Sequence, residues 1–174
     1  MTSKLSKIII SILGIAFLIF VFIYPDNETK WLLKNGSVAE GEIVESNYAA
    51  YNLIYYVNGF KHNLRIKPPL RGLQIGEFYK ILYDPNNPDV STVSLRVPII
   101  KNEEEYTTTK SLSVRKLWGN DLVEFTYLVN NIKYERDQRL ASNVKIDENR
   151  IYSVKYNKYR PKIAYLVISN TLKY

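Results

Sequence analysis

Two stretches of alternating apolar and polar residues set the plan of this chain. Leu53-Ile54-Tyr55-Tyr56-Val57 is followed by Asn58-Gly59 and then by Phe60-Lys61-His62-Asn63-Leu64-Arg65-Ile66. Asn-Gly between two β-rich runs predicts a two-residue type I′ hairpin, because that turn needs positive φ at both central residues. In the second arm Phe60, His62, Leu64 and Ile66 alternate with Lys61, Asn63, Arg65 and Lys67, which predicts one dry and one wet face with His62 on the dry one. Further on, Phe125-Thr126-Tyr127-Leu128-Val129, Asn130-Asn131 and Ile132-Lys133-Tyr134-Glu135 repeat the same figure. The strands predicted there run from Leu122 to Val129 and from Ile132 to Gln138.

The repetition extends beyond the hairpins. Before the first one, Ser37 to Ser46 reads as a strand in which Gly41 marks a bulge or a close backbone approach. After it, Pro68-Pro69 stops the second arm, since neither proline can donate to a ladder. Glu77 to Tyr83 is a strand with Tyr79, Ile81 and Tyr83 on one face, Asp84-Pro85-Asn86-Asn87-Pro88-Asp89 a turn cluster, and Val90 to Val97 a closing strand. In the second half Tyr152, Val154 and Tyr156 stand 73 residues after Tyr79, Ile81 and Tyr83, with Pro161 in the place of Pro88. Leu166 and Ile168 likewise match Val93 and Leu95. Agreement in order and spacing predicts an internal repeat: a mainly β protein with two tandem antiparallel modules, small barrels or sandwiches of about five strands each. The modules are expected at 37–97 and 112–174, joined by a linker at 98–111 that holds the Glu103-Glu104-Glu105 run.

Ahead of the modules the pattern changes. A polar tail, 1–7, is followed by 17 residues without a charge, Ile8 to Tyr24. That length is at the short end of what spans a ~30 Å hydrocarbon core. A transmembrane helix is therefore expected over 8–24, with Ile8, Leu13, Phe17, Phe20 and Tyr24 among its membrane-spanning residues, and a juxtamembrane linker at 25–36. A cleaved signal peptide fits less well, because the small residues Gly14 and Ala16 lie inside the apolar run instead of after it. A buried helix of a soluble core would show a polar face, and this run has none. Lys4 and Lys7 sit tight against its N-terminal side, the pattern of a signal anchor that leaves the C-terminal bulk outside the cytoplasm.

Composition narrows the chemistry. The chain has no cysteine, hence no disulfide framework, thiolate nucleophile or cysteine-bound zinc. The net charge of +7 belongs to the second half: Gly36 to Val97 holds 6 Lys/Arg against 6 Asp/Glu, and Leu112 to Tyr174 holds 12 against 6. Lys155, Lys158, Tyr159, Arg160 and Lys162 interleave cations with an aromatic and form a candidate binding patch for an anionic partner; the plainer reading is a solvated basic face. His62 is the only histidine and could join Ser91 or Ser94 and an aspartate in nucleophilic catalysis, although a lone strand histidine is more often packed and hydrogen-bonded. Asp84 and Asp89 could hold a hard cation, but they are also the residues the turn itself wants. No catalytic residue, metal ligand or cofactor is expected.

The motifs Gly41-Glu42-Ile43, Tyr55 to Gly59, Gly76 to Tyr79 and Tyr83-Asp84-Pro85-Asn86-Asn87-Pro88 resemble those of an uncharacterised family of small bacterial membrane-anchored β-domain proteins. The likeness covers residues 36–97 and fades in the second half, where Asn131 replaces the hairpin glycine and Asn157-Lys158 replaces Asp-Pro. It implies an anchored β-domain and brings no activity with it. The expected function is a non-enzymatic, single-pass membrane-anchored interaction module, facing outside the cytoplasm, that binds a protein or an anionic envelope component. Two alternatives stand beside it: an immunity-type protein that neutralises a toxin, and a hydrolase or other small enzyme using His62 or the Asp84/Asp89 turn. Nucleic acid is not an expected partner.

Overall fold

A computed structural model describes residues 28–47, 50–67, 72–101, 104–117, 120–141 and 144–168. The expected membrane span with Ile8, Leu13, Phe17, Phe20 and Tyr24 lies outside these residues, as do Pro68-Pro69 and Glu103. Among the described residues no helix is long and apolar enough to cross a membrane.

The protein is mainly β. Among the described residues a helix, α1, covers 28–35, within the stretch expected as a linker. It buries Leu32 and ends where Gly36 N–H donates to Leu32 O at 2.8 Å. The first module follows as β1 (Ser37–Asn47), β2 (Ala50–Val57), β3 (Phe60–Ile66), β4 (Phe78–Asp84) and β5 (Asn87–Ile99), in one antiparallel sheet of order β3-β2-β1-β4-β5. The hairpin turn is as the sequence predicts, with φ of 51° at Asn58 and 81° at Gly59. Ile43, Leu53, Tyr55, Tyr79, Ile81 and Leu95 form the core. His62, Leu64 and Ile66 are half-buried as the alternation requires, but Phe60 stands exposed at the hairpin tip.

The second module comprises β6 (Glu104–Thr109), β7 (Ser111–Leu117), β8 (Asn120–Val129), β9 (Ile132–Arg139), β10 (Tyr152–Asn157) and β11 (Arg160–Val167). They make two three-stranded sheets, β11-β10-β6 and β7-β8-β9. The stretch 98–111, expected as a linker, therefore holds the end of β5 and all of β6. Hairpin β8–β9 turns through Asn130 and Asn131, both at positive φ. Its core is Val123, Phe125, Tyr127, Val154, Tyr156 and Leu166.

The sheet is continuous in the first module and split in the second. In the first module β1 serves both halves: its first part pairs with β4 and its second part with β2, and Gly41 faces Tyr79 and Tyr55 at once. A Cβ on Gly41 would lie 2.6 Å from Ile81 Cγ1 and 2.8 Å from its Cδ1, inside ordinary contact distance. Gly41 is thus the close approach, and the bulge falls two residues later, between Ile43 and Glu45. In the second module Ser111 faces Thr126, so Lys110 falls level with Tyr127, the counterpart of Tyr55. The strand breaks at Lys110 into β6 and β7, and Thr109 Oγ1 donates to Thr126 O and accepts from Ser111 N–H to bridge the gap. Gly41→Val is expected to cost about 1–3 kcal/mol through overpacking against fully buried Ile81; a denaturation midpoint unchanged from the parent would contradict this origin of the shared strand.

Candidate functional site

The hairpin register sets His62 opposite Tyr55, and the two rings stack with centroids 5.4 Å apart. The Tyr55 hydroxyl donates to Pro88 O, and burial, the largest influence, pushes its pKa up. His62 Nδ1 lies 2.8 Å from Asp89 Oδ1. Residues flagged separately along the chain, His62 and Asp89, are therefore brought together. Asp84 is not part of this contact; its Oδ1 accepts from Asn86 N–H at 2.9 Å and shapes the turn. Ser91 Oγ is buried in the same region.

The second module repeats this arrangement without the chemistry. Tyr134 stacks on Tyr127 at 5.5 Å, and the Tyr127 hydroxyl donates to Pro161 O. Where the repeat places Asp89, the second module has Lys162. Both modules thus use an aromatic pair whose tyrosine hydroxyl is tied to the carbonyl of a proline on the last strand. What joins the sheet edges differs. In the first module the His62–Asp89 contact links β3 to β5, the two outer strands. In the second, the Gln138 side chain links β9 to β11, accepting from Leu166 N–H at 2.6 Å and donating to Leu166 O at 3.3 Å. His62 has the geometry of an edge latch. His62→Ala is expected to lower stability by about 1 kcal/mol through loss of that hydrogen bond, read as a shift in the urea midpoint; no shift would contradict a latching role.

The basic patch is partly spent on internal contacts. Lys155 Nζ pairs with the Glu104 carboxylate, and Lys158 Nζ lies 3.5 Å from Glu105 Oε1. Glu105 Oε2 also accepts from the Tyr156 hydroxyl at 2.6 Å. Two members of the acidic run therefore neutralise two cations of the patch. Arg160 reaches into the first module, donating to Ile75 O and to Gly76 O. Tyr159 and Lys162 remain exposed. Between the modules, beside Arg160, a cleft of about 150 Å³ is lined by Phe78, Ile99, Lys101, Asn157 and Ile163. Lys101 at its edge pairs with Glu40 at 2.6 Å and lies over the Phe78 ring.

The strongest polar cluster was not singled out from the sequence. Arg136 of β9 donates to Glu77 Oε1 and, at 2.8 Å, to Glu77 Oε2, and it also reaches Gly72 O at 3.0 Å and Lys162 O at 2.7 Å. Tyr79 donates to Glu77 Oε2 at 2.7 Å. Glu77, Tyr79 and Arg136 are all buried. Burial alone would lower the Arg136 pKa, but the Tyr79 and Glu77 groups outweigh it and the guanidinium stays charged. Burial pushes the Tyr79 phenol well up, which keeps it a neutral donor. The signal that could have found this cluster is the repeat itself. Arg136 stands where the first module has Leu64, so it is a charge on a face that calls for an apolar residue. The cluster joins the two modules. Among the described residues no three His, Asp or Glu side chains gather at a point that could hold a metal ion.

In comparisons with known proteins, the chain matches no family model, and no curated protein or solved structure is significantly similar to it.

Proposed function

We propose that this protein is a non-enzymatic interaction module, anchored by the apolar run 8–24, whose two β-modules lie outside the cytoplasm and bind a protein or an envelope component. The observation that carries the reading is an uncharged 17-residue run, twelve residues ahead of a two-module β body whose chemistry-bearing side chains serve the fold. His62 and Asp89 link sheet edges, Asp84 shapes a turn, and Glu77 and Arg136 join the modules.

The working surface is the β10–β11 turn around Tyr159 and Lys162, beside the cleft between the modules. Arg160 of this turn meets Ile75 and Gly76, which lead into the start of β4. The chain enters the first module at the other end of β4, since Ser37 faces Tyr83. The turn therefore points away from the anchored end, which favours a soluble or envelope partner over the bilayer for this patch. The test is site-specific photo-crosslinking in living cells from Tyr159 and Lys162, with Lys145 as an exposed control. A discrete adduct from the first two positions and none from the third is the expected result. Equal yields of nonspecific adducts at all three would overturn the assignment of the patch.

A further inference from the structure

The register of β1 and β2 gathers an apolar group at the anchored end of the first module. Gly41 faces Tyr55, and in an antiparallel pair each step back along β1 is a step forward along β2. The ladder with β2 ends at that pair, so Val38, three residues before Gly41, and the Asn58-Gly59 turn, three residues after Tyr55, lie toward the same end of the sheet, the end at which α1 leads into β1. Five large apolar side chains are exposed here: Trp31 and Leu33 on either side of buried Leu32, Val38, and Tyr56 and Phe60 flanking the turn. Leu33 is 67% and Phe60 73% exposed. Single exposed apolar residues are ordinary, and exposed Leu128 and Ile132 likewise flank the second hairpin turn; what the first module adds is Trp31, Leu33 and Val38 at the same end. Tyr56 pairs across to Lys61 and Val57 to Phe60, so Tyr56 and Phe60 project from opposite faces and the tip is apolar on both sides. Exposed Lys34 and Lys61 stand beside them.

What covers this group follows from where the chain outside it leads. Only residues 25–27 separate the end of the apolar run from Glu28, the first described residue of α1. Four Cα steps reach at most about 15 Å, and the headgroup layer beyond the hydrocarbon edge is itself some ~5–8 Å deep. A module end tethered that closely meets the headgroups with whatever side chains it presents. Aromatic rings and lysine stems are the groups that settle in that layer, with ammonium groups on anionic lipid.

We propose that this end of the first module seats on the bilayer surface, with Trp31, Leu33, Tyr56 and Phe60 in the headgroup layer and Lys34 and Lys61 against anionic lipid. The inference rests on the reading of 8–24 as an anchor. Seating would orient the protein and hold the Tyr159 turn away from the membrane.

The absence of cysteine makes the test direct. Single variants Leu33→Cys, Phe60→Cys, Phe17→Cys and Lys145→Cys of the full chain carry a polarity-sensitive fluorophore after reconstitution in vesicles of phosphatidylcholine and phosphatidylglycerol. Nitroxide lipids and aqueous iodide then compete as quenchers. Labels at 33 and 60 are expected to follow the label at 17, with lipid quenching severalfold above that at 145, and to lose part of it in phosphatidylcholine alone. If 17 reads lipid while 33 and 60 read water like 145, seating is wrong and the anchor stands. If 17 also reads water, anchor and seating fall together. If 33 and 60 are shielded from both quenchers, protein covers this end and the bilayer does not.

Discussion

Arg136→Ala is expected to destabilise the protein by about 3–5 kcal/mol, the cost of leaving a buried charge without its partner. Glu77 is fully buried and would keep only the Tyr79 hydroxyl as a donor. Gly72 O and Lys162 O would each lose the donor that Arg136 now supplies. For a chain of this size the loss corresponds to a fall in Tm of roughly 6–20 °C. Removing the whole pair should cost less than removing half of it, because a well-packed apolar pair escapes the desolvation that an ion pair must offset. Glu77→Leu with Arg136→Met is therefore expected to recover much of the midpoint lost by Arg136→Ala. If the double variant is as unstable as the single one, the penalty does not come from an orphaned Glu77.

The second large effect is expected from Leu122. This residue is the third of β8 in the second module, yet it is fully buried within the core of the first, with Leu53, Tyr79 and Leu95. Leu122→Ala is expected to cost about 2–5 kcal/mol for lost burial and the cavity left behind. Its location gives a sharper readout than its size. Since the side chain belongs to one module and its surroundings to the other, probes in both modules should report the same lowered midpoint. Two separate transitions, with the first module alone affected, would show that the modules fold independently.

What could be read from the sequence was what local chemistry decides. The Asn58-Gly59 turn and its echo at Asn130-Asn131 fixed both hairpins, because few residues accept positive φ at two successive positions. The Tyr79, Ile81, Tyr83 face and its match at Tyr152, Val154 and Tyr156 revealed the repeat, because a buried strand face must recur every second residue. The features that escaped depend on partners far away in sequence. Strand β6 looked like a linker because Glu104 and Glu105 suggest solvent; their partners, Lys155 and Lys158, arrive only with β10. Helix α1 buries a single leucine and offers no helical stripe to detect. His62 and Asp89 were each visible, but their contact required β3 and β5 to approach across an edge that no ladder joins. Arg136 was legible in principle, as a charge on a dry face, once the repeat was aligned.

The measurement that tests the account most directly is protease digestion of a C-terminal tag in intact cells or spheroplasts, with a lysed control. Cleavage before lysis is the expected result under the proposal that the apolar run 8–24 holds the chain in the membrane with the β-modules outside. Protection until lysis would put both modules in the cytoplasm and contradict it. The basic second module would then have to be matched to a cytoplasmic anionic partner.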